Sequence, residues 1–118
     1  MKRKEIKNEV NLLDLIPEKN IKWEKNKQDL IVLLKPKFQN RFFVKHFLHR
    51  LKHPYYRINL DDMGSFIWEL FNGVRNVEEI AKIFHDKFGK KAEPLYDRIA
   101  VFFQNLEKNH FITFKNLK

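Results

Sequence analysis

Tyr55-Tyr56-Arg57-Ile58-Asn59-Leu60-Asp61-Asp62-Met63-Gly64-Ser65-Phe66-Ile67-Trp68-Glu69-Leu70-Phe71-Asn72-Gly73 changes period halfway along its length. From Tyr56 to Leu60 apolar and polar residues alternate. Tyr56, Ile58 and Leu60 point one way and Tyr55, Arg57 and Asn59 the other, which predicts a strand. From Met63 onward the apolar positions are Met63, Phe66, Ile67, Leu70 and Phe71, the spacing of one helix face. Asp61 or Asp62 caps that helix, and Asn72-Gly73 stops it.

Two more helices follow. Asn76 caps the first of them, and Glu79 three residues on completes a capping-box pattern. Its stripe is Val77, Ile80, Ala81, Phe84 and Phe88, and Gly89 ends it. Pro94 suits the first turn of the next helix, 94–109, which carries Leu95, Ile99, Phe102, Phe103 and Leu106. Phe111-Ile112-Thr113-Phe114 reads as a short closing strand.

Upstream, Ile21-Lys22-Trp23-Glu24 and Leu30-Ile31-Val32-Leu33-Leu34 form a hairpin about the polar turn Asn26–Asp29, and Pro36 ends it. Residues 40–52 switch to helical period. Phe43, Phe47 and Leu51 recur beside Phe42, Val44 and Leu48, while Arg41, Lys45, His49 and Lys52 fall on another face. This predicts a basic amphipathic helix closed by Pro54, its phenylalanines packed on the domain. Residues 1–20 read as an N-terminal arm whose first ten residues are expected to be mobile. Asn11–Pro17 contains one helical turn. The expected fold is α+β: a small three-stranded antiparallel sheet followed by three helices, with a basic helical insertion at about 36–54 between the second and third strands. This order, with a helix-turn-helix-like link at Gly89–Glu93, describes a winged-helix domain over residues 21–118.

The chain has 118 residues, enough for one modest core. Hydrophobic residues are 43% and aromatics 14%, too apolar for a disordered chain. There is no cysteine, which excludes disulfides, zinc thiolates, iron–sulfur clusters and cysteine nucleophiles. No apolar run exceeds five residues, the length of Leu30–Leu34, so no transmembrane helix is expected, and the basic start lacks a signal core. A cytoplasmic protein is the expectation. Net charge is +9, all of it in residues 1–60. Lys35, Lys37, Arg41, Lys45, Arg50 and Lys52 make a basic patch with no acidic residue among them. Such a patch points to a local anionic partner, against the plainer reading of a solvated face.

Catalysis finds little support. No nucleophile elbow, Ser-His-Asp order or phosphate loop is present, and Asp61-Asp62 and Glu78-Glu79 read as helix-start carboxylates. His46, His49 and His53 share a helical face, but six surrounding cations and no carboxylate argue against a divalent ion. No metal or cofactor is expected. Trp23 and Trp68 read as core residues.

The stretch Arg57–Gly73 and its continuation Val74-Arg75-Asn76-Val77-Glu78-Glu79-Ile80-Ala81 resemble the PqqD family. The matching positions are Leu60, Gly64, Ile67, Trp68, Leu70, Gly73, Arg75, Val77, Ile80 and Ala81, with Asn76 where threonine is usual. Residues 36–54 are longer and more basic than in the compact members that act in pyrroloquinoline quinone synthesis. The resemblance implies a non-catalytic peptide chaperone, or RiPP recognition element. Such a domain presents a precursor or leader peptide to a modifying enzyme, often a radical SAM protein. It further implies that the peptide adds as a strand to Tyr55, Tyr56, Arg57, Ile58, Asn59 and Leu60, beside the third helix at Leu95, Arg98, Val101, Phe102 and Asn105. Arg57 and Arg98 are candidates for acidic leader residues.

Two other readings compete. A winged-helix nucleic-acid binder would use the basic first half, because the third helix, Glu93–Lys108, carries Arg98 and Lys108 against Glu93, Asp97 and Glu107 and would repel phosphate. An interaction subunit would use the basic helix for assembly, a homodimer included, or for a membrane surface.

Overall fold

The computed structural model describes residues 10–37 and 41–117. The mobility expected for the first ten residues falls, except for Val10, outside the described residues. The chain is an α+β protein that divides into two compact units. Ile21–Ser65 form one; the stretches up to Asn20 and from Phe66 onward form the other.

The strand unit is a three-stranded antiparallel sheet, β2 (Lys22–Lys25), β3 (Ile31–Pro36) and β4 (Tyr55–Asn59), in that spatial order. The predicted hairpin and third strand are all present. Asn26 builds the turn: its Oδ1 accepts from the N–H groups of Gln28 and Leu30, and Asp29 takes a positive φ of 67°. In the central strand Ile31, Val32 and Leu33 are fully buried in succession. Trp23 does not join them. It lies on the outer strand β2 and is 37% exposed, because the bulky ring stands where the sheet ends.

The basic excursion is helical as expected, but shorter. Helix α1 covers Arg41–Phe47, and a 3-10 turn at Leu48–Arg50 follows it. Only seven residues keep the helical repeat, so the apolar side cannot form one continuous packed stripe. Leu48 is buried, whereas Phe42 and Phe47 are exposed, contrary to the packing expected for them.

Helix α2 (Asp62–Glu69) starts where β4 ends. Asp61 caps it, accepting from the Gly64 N–H at 2.8 Å. Ser65 then closes the sheet. Its buried hydroxyl accepts from the Ile31 N–H at 2.8 Å and donates to the Leu60 carbonyl at 3.3 Å, while the Leu60 N–H donates to the Ile31 carbonyl. The hydroxyl is inserted into the last rung of the β3–β4 ladder.

The helical unit holds α3 (Val77–Phe88), α4 (Leu95–Lys108) and a two-stranded ladder of β1 (Pro17–Lys19) with β5 (Ile112–Phe114). The Asn76–Glu79 capping box is complete in both directions. Trp68, Phe84, Ile99 and Phe103 are fully or nearly fully buried, with Trp68–Phe71 and Phe71–Phe103 centroids 5.4 and 5.6 Å apart. Each such side chain contributes about 1.5–3 kcal/mol through burial. The segment before β1 is tied in as well: the Val77 N–H donates to the Leu15 carbonyl, and Asn116 bonds both the Ile16 N–H and the Asp14 carbonyl. Lys19 lies 5.9 Å from the Trp68 ring centroid. Burial lowers its pKa from the usual 10.5, opposed by attraction to Glu69.

Ser65→Ala leaves the Ile31 N–H buried without its acceptor, so it is expected to cost about 1–3 kcal/mol in urea unfolding. For Lys19 the unfolded chain holds its proton more tightly than the folded one. Stability therefore rises with pH between the lowered value and 10.5. Lys19→Met is expected to flatten that alkaline rise in thermal melts.

Candidate functional site: the outer edge of β4

Antiparallel pairing fixes which backbone groups of β4 are used. The register pairs Val32 with Asn59, Leu33 with Ile58, Leu34 with Arg57, Lys35 with Tyr56 and Pro36 with Tyr55. Hydrogen-bonded and non-hydrogen-bonded pairs alternate along such a ladder. Bonds from the Leu60 N–H to the Ile31 carbonyl and from the Lys37 N–H to the Pro54 carbonyl mark the hydrogen-bonded rungs. Ile58 and Tyr56 therefore bond to β3. The N–H and C=O groups of Tyr55, Arg57 and Asn59 face the other way. Pro36 sits in a non-bonded rung, where its missing N–H costs nothing. The other ladder agrees: the Asn26 N–H donates to the Leu30 carbonyl, so Leu30, Val32 and Leu34 serve β2 while Ile31, Leu33 and Lys35 serve β4.

Among the described residues no strand pairs with the outer edge of β4. Three residues thus present a row of donors and acceptors about 6.8 Å apart along the strand, the repeat of two residues.

The side chains dress this edge on both faces. Tyr56 is 56% exposed and Arg57 and Asn59 are exposed, while Tyr55, Ile58 and Leu60 are half-buried. Arg57 is engaged across the sheet, its Nη1 2.6 Å from Glu24 Oε2. Lys22 Nζ lies 3.4 Å from the Tyr55 hydroxyl and 5.8 Å from its ring centroid. Lys37 Nζ stands 5.4 Å from the Tyr56 centroid. Exposed contacts of this cation–π kind are worth about 0.5–1 kcal/mol. The sequence had marked Lys37 only as part of a basic patch and had not marked Lys22. The hairpin register was the signal that could have placed Lys22 on the Tyr55 face.

The remaining expected residues lie on α4, in the helical unit. Val101 is 57% exposed, Arg98 and Asn105 are exposed, and Leu95 and Phe102 are half-buried. The buried face of α4 is Ile99, Phe103 and Leu106. Arg98 turns back on its own helix start, its Nε donating to the Glu93 carbonyl at 3.1 Å, and Glu93 bonds His85 at 2.9 Å. Of the basic patch, Lys37, Arg41, Lys45, Arg50 and Lys52 are exposed and Lys35 is half-buried. Among the described residues no three His, Asp or Glu side chains gather as metal ligands would, and no helix is long and apolar enough to cross a membrane.

The fold and this edge define a small α+β protein whose three-stranded sheet ends on a strand with no partner on its outer edge among the described residues. The chain belongs to the PqqD family, described as coenzyme PQQ synthesis protein D, whose model matches residues 46–112. That span takes in β4, all three later helices and the start of β5, and leaves the β2–β3 hairpin outside it. No curated protein and no solved structure gives a significant match.

Proline separates the two sets of β4 amides. Arg57→Pro removes an outward N–H and the exposed side-chain pair with Glu24, whereas Ile58→Pro removes a ladder bond and clashes within the sheet. Ile58→Pro is expected to destabilise the protein by at least about 2 kcal/mol more than Arg57→Pro in urea unfolding.

Proposed function

We propose that the protein is a non-catalytic adaptor that captures an extended precursor or leader peptide by strand addition to β4 and presents it to a modifying enzyme. The observation that carries this reading is the outward set of amides at Tyr55, Arg57 and Asn59. A peptide laid along them gains main-chain hydrogen bonds of about 1 kcal/mol each, net, with no chemistry asked of the protein. Membership of a family of accessory proteins supports the adaptor role. The family's dealings with partner biosynthetic enzymes support a second protein as the recipient, for which a radical SAM enzyme is the class proposed.

On α4 the exposed Arg98, Val101 and Asn105 are proposed as peptide-contacting positions, as the resemblance implies. The winged-helix reading of the element order and a cytoplasmic site of action belong to the same proposal.

An NMR titration of labelled protein at physiological salt tests it. The ligand is the short precursor-like peptide encoded nearest the gene, with duplex DNA in a separate sample. The expected outcome is shifts at Tyr55–Leu60 and on α4 with peptide and none with DNA. Arg57→Pro is expected to fold and to weaken peptide binding about fivefold or more, as loss of one main-chain bond and the local side chain requires. A response to DNA centred on Lys35–His53, with none to peptide, would overturn the reading in favour of a nucleic-acid binder.

A further inference from the structure

We infer that two copies of this chain associate edge to edge through β2, antiparallel about a two-fold axis at Trp23, so that their sheets join into one. The inference stands apart from the strand-addition reading, because it uses the opposite edge of the sheet.

The spatial order β2-β3-β4 gives β2 an outer edge of its own, and among the described residues no strand pairs with it. All four residues of β2 are exposed. The ladder to β3 sorts their amides. The Asn26 N–H donates to the Leu30 carbonyl, so by alternation Glu24 and Lys22 bond to β3 opposite Val32 and Leu34. The N–H and C=O groups of Trp23 and Lys25 face outward, and no proline interrupts the row.

The side chains decide what fits there. Lys22 and Glu24 lie on one face of the strand, Trp23 and Lys25 on the other. In an antiparallel pair related by a two-fold axis, the residue at the axis meets itself and its neighbours exchange places. An axis at Lys22, Glu24 or Lys25 sets like charges directly opposite each other, which is destabilising. An axis at Trp23 sets Lys22 opposite the second copy's Glu24, and Glu24 opposite the second copy's Lys22. Both pairs then have opposite signs. On the other face the two Trp23 rings meet, each 37% exposed in the single chain. Because Trp23 is an outward residue, the axis also falls on a hydrogen-bonded rung, where the two copies exchange both N–H···O bonds. Backbone, charge and apolar surface agree on one register.

Both charged groups can serve. Arg57 Nη1 occupies Glu24 Oε2 at 2.6 Å, and the carboxylate has a second oxygen for the incoming lysine. Lys22 exchanges its contact with the Tyr55 hydroxyl, 3.4 Å long, for a carboxylate. The net charge of +9 on each copy opposes association, but at physiological salt it is screened beyond about 8 Å, whereas directly opposed pairs are not. The outer edge of β4 lacks this complementarity: an axis at Arg57 sets two guanidiniums opposite each other. A second copy is thus directed to β2, and both β4 edges stay open at the two ends of the joined sheet.

A contact of this size is weak, so the test is sedimentation of the full chain from micromolar to millimolar concentration, with amide spectra of labelled protein over the same range. The expected result is a monomer–dimer equilibrium in which the Trp23 and Lys25 amides shift and those of Tyr55, Arg57 and Asn59 do not. Lys22→Glu and Glu24→Lys change exposed positions and are expected to fold. Each alone sets like charges opposite each other in both pairs and should weaken self-association about tenfold or more. Mixed together, the two variants regain both opposite-charge pairs and should form a heterodimer about as tightly as the wild type pairs with itself. A chain that stays monomeric at millimolar concentration overturns the inference. So does a dimer whose shifts lie away from β2, or a mixture of the variants that associates no better than either alone. Peptide binding at β4 is decided separately, by the titration of that edge.

Discussion

Apart from the Ile31 N–H, which the Ser65 hydroxyl takes, each backbone group of β3 from Ile31 to Lys35 is committed to one neighbouring strand or the other by the alternation of antiparallel pairing. The open edge of β4 depends on this constraint. With β3 fixed centrally by Ile31, Val32 and Leu33, β4 can offer it only Tyr56 and Ile58, and Tyr55, Arg57 and Asn59 are left facing outward. A slip of one residue would exchange the two sets and carry every side chain to the opposite face. The Ser65 hydroxyl guards against that slip. By occupying the last rung between Ile31 and Leu60 it fixes the register at the point where the strand gives way to α2.

Exposed strand edges invite unwanted pairing, and proteins commonly blunt them with charge. Here the lysines at the Tyr55–Tyr56 end and the Arg57–Glu24 pair would discourage a second copy of the same basic strand from adding to it.

Much of this was legible in the sequence because local signals agreed with tertiary packing. The period change at Leu60, the Asn76–Glu79 capping box and the Asn26 turn each rest on chemistry within a few residues. The strand pairing of β1 with β5 was not legible. Pro17-Glu18-Lys19 shows no alternation, and its partner Ile112–Phe114 lies at the far end of the chain. The exposure of Trp23, Phe42 and Phe47 was also misread, because an aromatic residue on a short or outer element has no guarantee of cover. The strand of the site was readable from Tyr55 to Leu60. Which of its amides are outward required the register.

The β1–β5 ladder brings the two ends of the described chain together. Asp14 and Ile16 meet Asn116, and Pro17 lies opposite Phe114. Tension applied between residues 10 and 117 would therefore act across the ladder at its terminal pair, not along its strands. The bonds would open one after another, Asn116 first and then the rungs from Pro17 inward, as a zip does. The ladder is loaded in its weaker direction along the line joining residues 10 and 117.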